Sequence, residues 1–255
     1  MEASLTISLI HRSPNGAAEK LDQVAVEEPL EIRLDGHPVA VVMRTPGDDL
    51  ELVAGFLVTE GIISSVEDLR KTETRPEENR VLAFLRDGVE VDLGRLTRHL
   101  FSSSSCGICG KATLEAIFSD FPPITRKLEV ADAVLLDAPK KLRAAQSAFD
   151  YTGGLHAAGI FSADGELLVL REDIGRHNAV DKVIGHALLN GIGLESVFLL
   201  VSGRVSFEIL QKALAARIPV IAAISAPSSL AVEFARSSGQ TLVGFLRPPT
   251  FNRYA

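Results

Sequence analysis

HAAGIFSADGELLVLREDIGRHNAVDKVIGHALLNGIGLESVFLLVSGRVSFEILQKALAARIPVIAAI, residues 156–224, changes its apolar period several times. His156 to Phe161 and Leu167 to Leu170 flank Ala163-Asp164-Gly165, a hairpin signal. Ala179, Val180, Val183, Ile184, Ala187 and Leu188 then fall on one helical face that stops at Asn190-Gly191. Ser196 to Val201 reads as a buried strand, Ile209 to Ala216 as a helix, and Pro219 to Ile224 as a strand again. Beyond the quoted stretch, Leu230 to Ala235 is a helix stopped by Gly239, and Thr241 to Leu246 a last strand. Helices of ~10 residues alternating with apolar strands of ~6 imply a three-layer α/β/α domain around a parallel or mixed sheet.

Toward the N-terminus the pattern differs. From Leu21 to Val42 short apolar runs alternate with polar residues around Asp35-Gly36, which predicts a hairpin. Pro46-Gly47-Asp48-Asp49 opens a helix whose apolar positions are Leu50, Val53, Ala54, Leu57 and Val58, closed by Gly61. Residues 64–90 are charged and read as a helix followed by a strand. This half is expected to form a smaller α+β domain. Residues 119–145 contain Pro122, Pro123, Pro139 and many charges, which reads as a connection. The expected division is therefore 1–130 and 131–255.

Composition excludes some functions. The 255 residues are 46% hydrophobic, and 26 basic against 33 acidic side chains leave a net charge of −7. General nucleic-acid binding needs many phosphate-neutralising cations, so it is not expected. The N-terminus lacks the basic and then apolar order of a secretory signal. The longest strongly apolar uncharged stretch, Ile218 to Val232, holds 15 residues and two prolines, short of the ~20 that cross a bilayer. The expectation is a cytoplasmic chain that does not engage membranes.

In α/β sheets, ligands bind where the carboxyl ends of strands meet the next helix. The loops at such positions are Arg171 to Asn178, Ser202 to Ser206, and Ser225 to Ser229, rich in Gly, Ser and Arg. Helix N-termini carry unpaired N–H groups that favour anions, and guanidiniums suit phosphate. Arg171, Arg176, Arg204 and Arg247 thus point to a polyanionic ligand, although serines that cap helices give the same pattern. Asp173 and His177 are candidates for an acid-base pair, and a carboxylate at that place could accept from the N1 and N2 hydrogens of guanine. His156, at a strand start, is a candidate to line the pocket.

The chain has two cysteines, Cys106 and Cys109, with Gly107 and Gly110 around them and Lys111 after them. Residues 111–118 read as a helix, so a thiol sits near a helix N-terminus and a cation, both of which favour the thiolate. Two cysteines three apart make no disulfide framework. A zinc site needs two more ligands, and neither a second pair nor a His-x-His cluster is present, so no metal site is expected. Dithiol redox chemistry and persulfide chemistry both fit this spacing.

Four segments together resemble one family: Ser-Cys-Gly-Ile-Cys-Gly-Lys at 105–111, Arg-Glu-Asp-Ile-Gly-Arg-His-Asn-Ala-Val-Asp-Lys at 171–182, Ser-Gly-Arg-Val-Ser-Phe-Glu at 202–208, and Ser-Ala-Pro-Ser-Ser-Leu-Ala-Val-Glu at 225–233. They are similar to the FdhD family of formate dehydrogenase accessory proteins, in order, from about Leu30 onward. The resemblance implies a sulfurtransferase that takes sulfur from a cysteine desulfurase as a cysteine persulfide. It would pass that sulfur to the molybdenum bis(molybdopterin guanine dinucleotide) cofactor of formate dehydrogenase. On that reading Cys106 bears the persulfide, Cys109 assists, and the cofactor is a bound substrate. The alternative is a chaperone that holds the same cofactor without moving sulfur.

The resemblance also implies cofactor binding along Phe245-Leu246-Arg247-Pro248-Pro249-Thr250, where the prolines have no N–H to donate. Asp173, Arg176, His177, Ser202, Gly203, Arg204 and Ser225 complete the expected cofactor site. The family's larger domain is similar to the cytidine-deaminase fold. The deaminase zinc set is missing, since Ala157-Ala158 follows His156 and no proline precedes Cys106. Family precedent implies a homodimer.

Overall fold

The computed structural model describes residues 3–91, 118 and 121–255. Cys106 and Cys109 lie outside the described residues. A two-stranded ribbon comes first, β1 (Ser4–Ser13) and β2 (Gly16–Ala25), antiparallel and exposed along most of its length. The apolar alternation groups Leu21 with the following hairpin, whereas Leu21 pairs with Ser8 in this ribbon.

Next comes a four-stranded sheet in the order β4-β3-β6-β5, built from β3 (Glu28–Leu34), β4 (His37–Arg44), β5 (Leu69–Arg75) and β6 (Arg80–Leu85). The predicted hairpin joins β3 to β4. Asp35 and Gly36 have φ of 47° and 82°, the left-handed pair that suits the twist of adjacent strands. Helix α1 (Asp49–Thr59) covers this sheet with Leu52, Val53, Leu57 and Val58 against Leu30, Ile32, Val81 and Ala83. Residues 64–90 hold two strands and short 3-10 turns rather than one helix and one strand.

Residues 119–145 are not a connection throughout. Asp132–Ala145 forms α2, with Pro139 inside it. Leu135, Ala138 and Leu142, at spacings of three and four, bury one stripe against the larger sheet. A short α3 (Ser147–Thr152) leads into that sheet.

The larger sheet has six strands in the order β12-β11-β10-β9-β7-β8. They are β7 (His156–Ser162), β8 (Leu167–Asp173), β9 (Val197–Val201), β10 (Val220–Ala223), β11 (Thr241–Arg247) and β12 (Thr250–Arg253). The predicted last strand is therefore followed by one more, antiparallel to it. The sheet is mixed: β7 runs against both β8 and β9, while β9, β10 and β11 run together. Helices α4 (Arg176–Leu189), α5 (Phe207–Ala215) and α6 (Ser229–Ser238) cover one face and α2 the other. Because side chains alternate along a strand, Leu199 and Val201 pack toward α4–α6 while Phe198 and Leu200 pack toward α2.

The two sheets are joined by helix α1 lying on helix α4. A Cβ at Gly55 would sit 1.9 Å from Asp181 O, and one at Gly185 would sit 1.8 Å from Glu51 O. Only glycine permits backbones to approach this closely. Beside the crossing, the buried Lys212 ammonium donates to Asp181 at 2.9 Å, Thr59 at 3.0 Å and Glu60 at 2.6 Å. Thr59 Oγ1 donates to the other oxygen of Asp181 at 2.7 Å. A buried charge is costly unless it is paired, and here each partner is supplied.

Candidate functional site

Since β7 opposes both of its neighbours, strands β8, β9, β10 and β11 all end at one edge of the sheet, and β7 begins there. His156, the first residue of β7, stands opposite Asp173, the last of β8. Ser202 follows β9 and is tied to β7 twice: its N–H donates to Ala157 O and its Oγ accepts from Ala157 N, both at 2.9 Å. This holds Gly203 beside His156. A Cβ on Gly203 would come within 3.2 Å of His156 Nδ1 and 3.7 Å of Arg176 Cβ.

Arg176 and His177 open α4, where Gly175 is the N-cap. His177 Nε2 lies 3.3 Å from Ser206 Oγ and 3.7 Å from Glu208, bridging the starts of α4 and α5. The neighbouring His177 ring, then Ser206 and its own backbone N–H, outweigh burial and hold Glu208 down to about 2. Burial first, and then Arg176, His177 and Arg204 in turn, push His156 below the usual histidine range. The edge is therefore cationic and half-buried, while Arg204 is exposed at its rim. Among the described residues, Arg176 Nε is buried with no hydrogen-bond partner. Such an arrangement suits an anion.

The next loop is locked to this one. Val205 bridges Pro227, with Val205 N donating to Ala226 O at 3.1 Å and Ser228 N to Val205 O at 2.9 Å. Ser228 Oγ caps α6 by accepting from Ala231 N, so that serine serves the helix. Ser225 contributes its carbonyl to Phe245 N at 3.0 Å. Phe245 has a φ of 50°, which turns its ring outward to 40% exposure, and the Arg247 guanidinium stands 5.8 Å from the ring centroid. Arg247 Nε donates to Ile224 O at 3.1 Å.

The structure thus groups Arg176, His177, Ser202, Gly203 and Arg204 with His156, and sets Ser225, Phe245 and Arg247 along the same edge. Other expected residues are placed differently. Leu246 is fully buried in the core under α2. Pro248 and Pro249 form the exposed turn before β12, and Thr250 starts that strand, paired with Arg247. Arg171 is not available to a ligand, because its guanidinium grips Glu51 at 2.6 and 2.8 Å with Asp48 at 3.4 Å. The expected Asp173–His177 pair does not form: Asp173 is 0% exposed and bound to Lys182 at 2.8 Å. Glu208 and Ser206 are neighbours of His177 that the sequence pattern alone does not pair with it. Their signal is a carboxylate in the first turn after a strand-end Gly-Arg-Val-Ser loop.

The family model described as the FdhD/NarQ family matches residues 25–255. The chain belongs to the FdhD/NarQ family. Among curated relatives, the sulfur carrier protein FdhD of Streptomyces coelicolor is 50% identical over 250 residues, covering 92% of this chain and 87% of its own. That of Mycobacterium tuberculosis is 50% identical over 258 residues, covering 96% and 94%. The archaeal counterpart from Saccharolobus solfataricus is 44% identical over 253 residues, again 96% and 94%. A crystal structure of a candidate formate dehydrogenase accessory protein from Desulfotalea psychrophila superposes with a TM-score of 0.81 at 28% identity, covering 99% of this chain and 97% of that one. The ribbon of β1 and β2 falls almost entirely before the family match.

Proposed function

We propose that this FdhD/NarQ chain is a sulfurtransferase serving formate dehydrogenase. The observation that carries the reading is its 50% identity, over most of both chains, to proteins named as sulfur carriers. The thiolate of Cys106 attacks the sulfane sulfur of a cysteine desulfurase persulfide. A new sulfur–sulfur bond forms at Cys106, the old one breaks, and the desulfurase thiolate leaves. Cys109 is the assisting thiol. The acceptor is the molybdenum bis(molybdopterin guanine dinucleotide) cofactor, bound as a substrate.

The strand-end cluster supports the second half of this reading. Arg176 and Arg204 supply cations, His177 a ring nitrogen beside them, and Gly203, lacking a side chain, lets the loop pack against His156 and Arg176, so that the group converges as a diphosphate requires. Phe245 and Arg247 offer an aromatic face and a charge farther along the edge. A kinship of the six-stranded half with the cytidine-deaminase fold, a division near residue 130, and a homodimer belong to the same proposal.

Incubation with a desulfurase and cysteine, followed by peptide mass spectrometry, tests it. A 32 Da increment on the Cys106 peptide, reversed by thiol reductant, is expected. Its absence overturns the persulfide role. A Cys106→Ala chain that still activates formate dehydrogenase would favour a cofactor-holding chaperone.

A further inference from the structure

Asp173 sits at the candidate site yet offers nothing to it. Its Oδ1 accepts from Gly175 N at 2.8 Å and Asn178 Nδ2 at 2.9 Å. Its Oδ2 accepts from Thr45 N at 3.1 Å and Lys182 Nζ at 2.8 Å. A carboxylate has about four acceptor positions, so this one is saturated. The partners are saturated too. The Lys182 ammonium has three protons and directs them at Asp173, at Thr45 O (2.9 Å) and at Glu172 O (3.3 Å). The Asn178 amide also donates to Met43 O at 2.7 Å, and Thr45 Oγ1 accepts from Ile174 N at 3.1 Å.

These contacts fall into two groups of backbone. One is residues 43–45, the end of β4 and the turn before α1. The other is residues 172–178, the end of β8 and the start of α4 that carries Arg176 and His177. Thr45 is 1% exposed and Lys182 1%, so the join is out of water, where a lost partner costs most.

We propose that Asp173 is a positioning residue, clamping the Arg176–His177 turn onto the N-terminal sheet, and does not itself contact the ligand. The ligand side of this inference rests on the nucleotide reading given above; the clamp itself does not. Removing the carboxylate should release residues 43–47 and 174–178 together. It should also weaken every phosphate-bearing ligand by one common factor.

The test compares the full-length wild type with Asp173→Asn. Titrations use GDP, IDP (which lacks the guanine 2-amino group) and inorganic pyrophosphate, and hydrogen exchange is followed without ligand. The clamp predicts faster exchange in both segments and a roughly tenfold loss for all three probes alike. Selective loss of the preference for GDP over IDP, with pyrophosphate affinity intact, overturns it and makes Asp173 a base-reading group. Unchanged exchange in either segment also overturns it. Thr45→Val, which exchanges the hydroxyl that accepts from Ile174 N for a methyl group, should reproduce the exchange at 174–178 in milder form and serves if Asp173→Asn does not fold. A wild type that binds none of the three probes refutes the nucleotide reading, while the exchange measurement still decides the clamp.

Discussion

Replacing Gly185 by alanine tests the joint between the two halves. Elsewhere in a helix this change adds ~0.5–1 kcal/mol of stability, since alanine is the better helix former. Here the new methyl would lie 1.8 Å from Glu51 O and 2.7 Å from Gly55 N, whereas real Cβ contacts essentially never fall under 3.0 Å. Helices α1 and α4 must separate by at least about 1.2 Å, and gaps of 0.5–1 Å already forfeit a quarter to a half of each contact's attraction. The same movement pulls on Thr59–Asp181 at 2.7 Å and Arg171–Glu51 at 2.6 Å. Overpacking of this kind costs ~1–3 kcal/mol, and each strained charged hydrogen bond adds ~1 kcal/mol, so a net loss of about 2–4 kcal/mol is expected. Scanning calorimetry should show Tm lowered by roughly 4–16 °C. Gly55→Ala should behave alike, and the double variant should lose less than the sum, because both methyls force one displacement. A Gly185→Ala chain that melts at or above the wild type would refute the close crossing.

Lys212→Met leaves Asp181 buried among partners that no longer neutralise it, so a loss of ~3–5 kcal/mol by chemical denaturation is expected; a change under 1 kcal/mol would refute the pairing. Glu208 is held down to about 2 in the folded chain, against an ordinary 4.5. Its contribution is therefore complete above pH 4.5 and disappears as pH falls toward 2. The side chain is 55% exposed, so screening limits that contribution to under ~1 kcal/mol. In acid titrations Glu208→Gln should run slightly below the wild type at neutral pH and converge with it near pH 2; a constant gap would contradict the assignment.

The six-stranded half was legible because its elements are local and strongly patterned. The hairpin of β7 and β8 turns at Asp164-Gly165, and the buried faces of α4 and α5 repeat at helical spacing. Helix α2 was hidden by its charges and Pro139, which mask the three buried positions on one stripe. Strand β12 has four residues and one partly buried side chain, Phe251, too little for a period. The ribbon of β1 and β2 buries neither face, so its alternation marks no core.

At the candidate site, the strand-end rule points to loops that the fold gathers along one sheet edge. What it could not find was which side chains are already taken. Arg171 is bound to a residue 120 positions away and Asp173 to one 128 away, and nothing near either residue in sequence announces those partners. Saturation is a property of the fold.

The crossing of α1 and α4 also has a meaning in time. His186 and Glu51, which meet beside it, are 135 residues apart in the chain. At synthesis rates of about 5–20 residues per second, α1 waits roughly 7–27 seconds on the ribosome before its partner helix exists. Throughout that interval the notch at Gly55 is bare backbone flanked by apolar side chains. The interval should be detectable as binding of a nascent-chain chaperone between the emergence of residue 59 and that of residue 189.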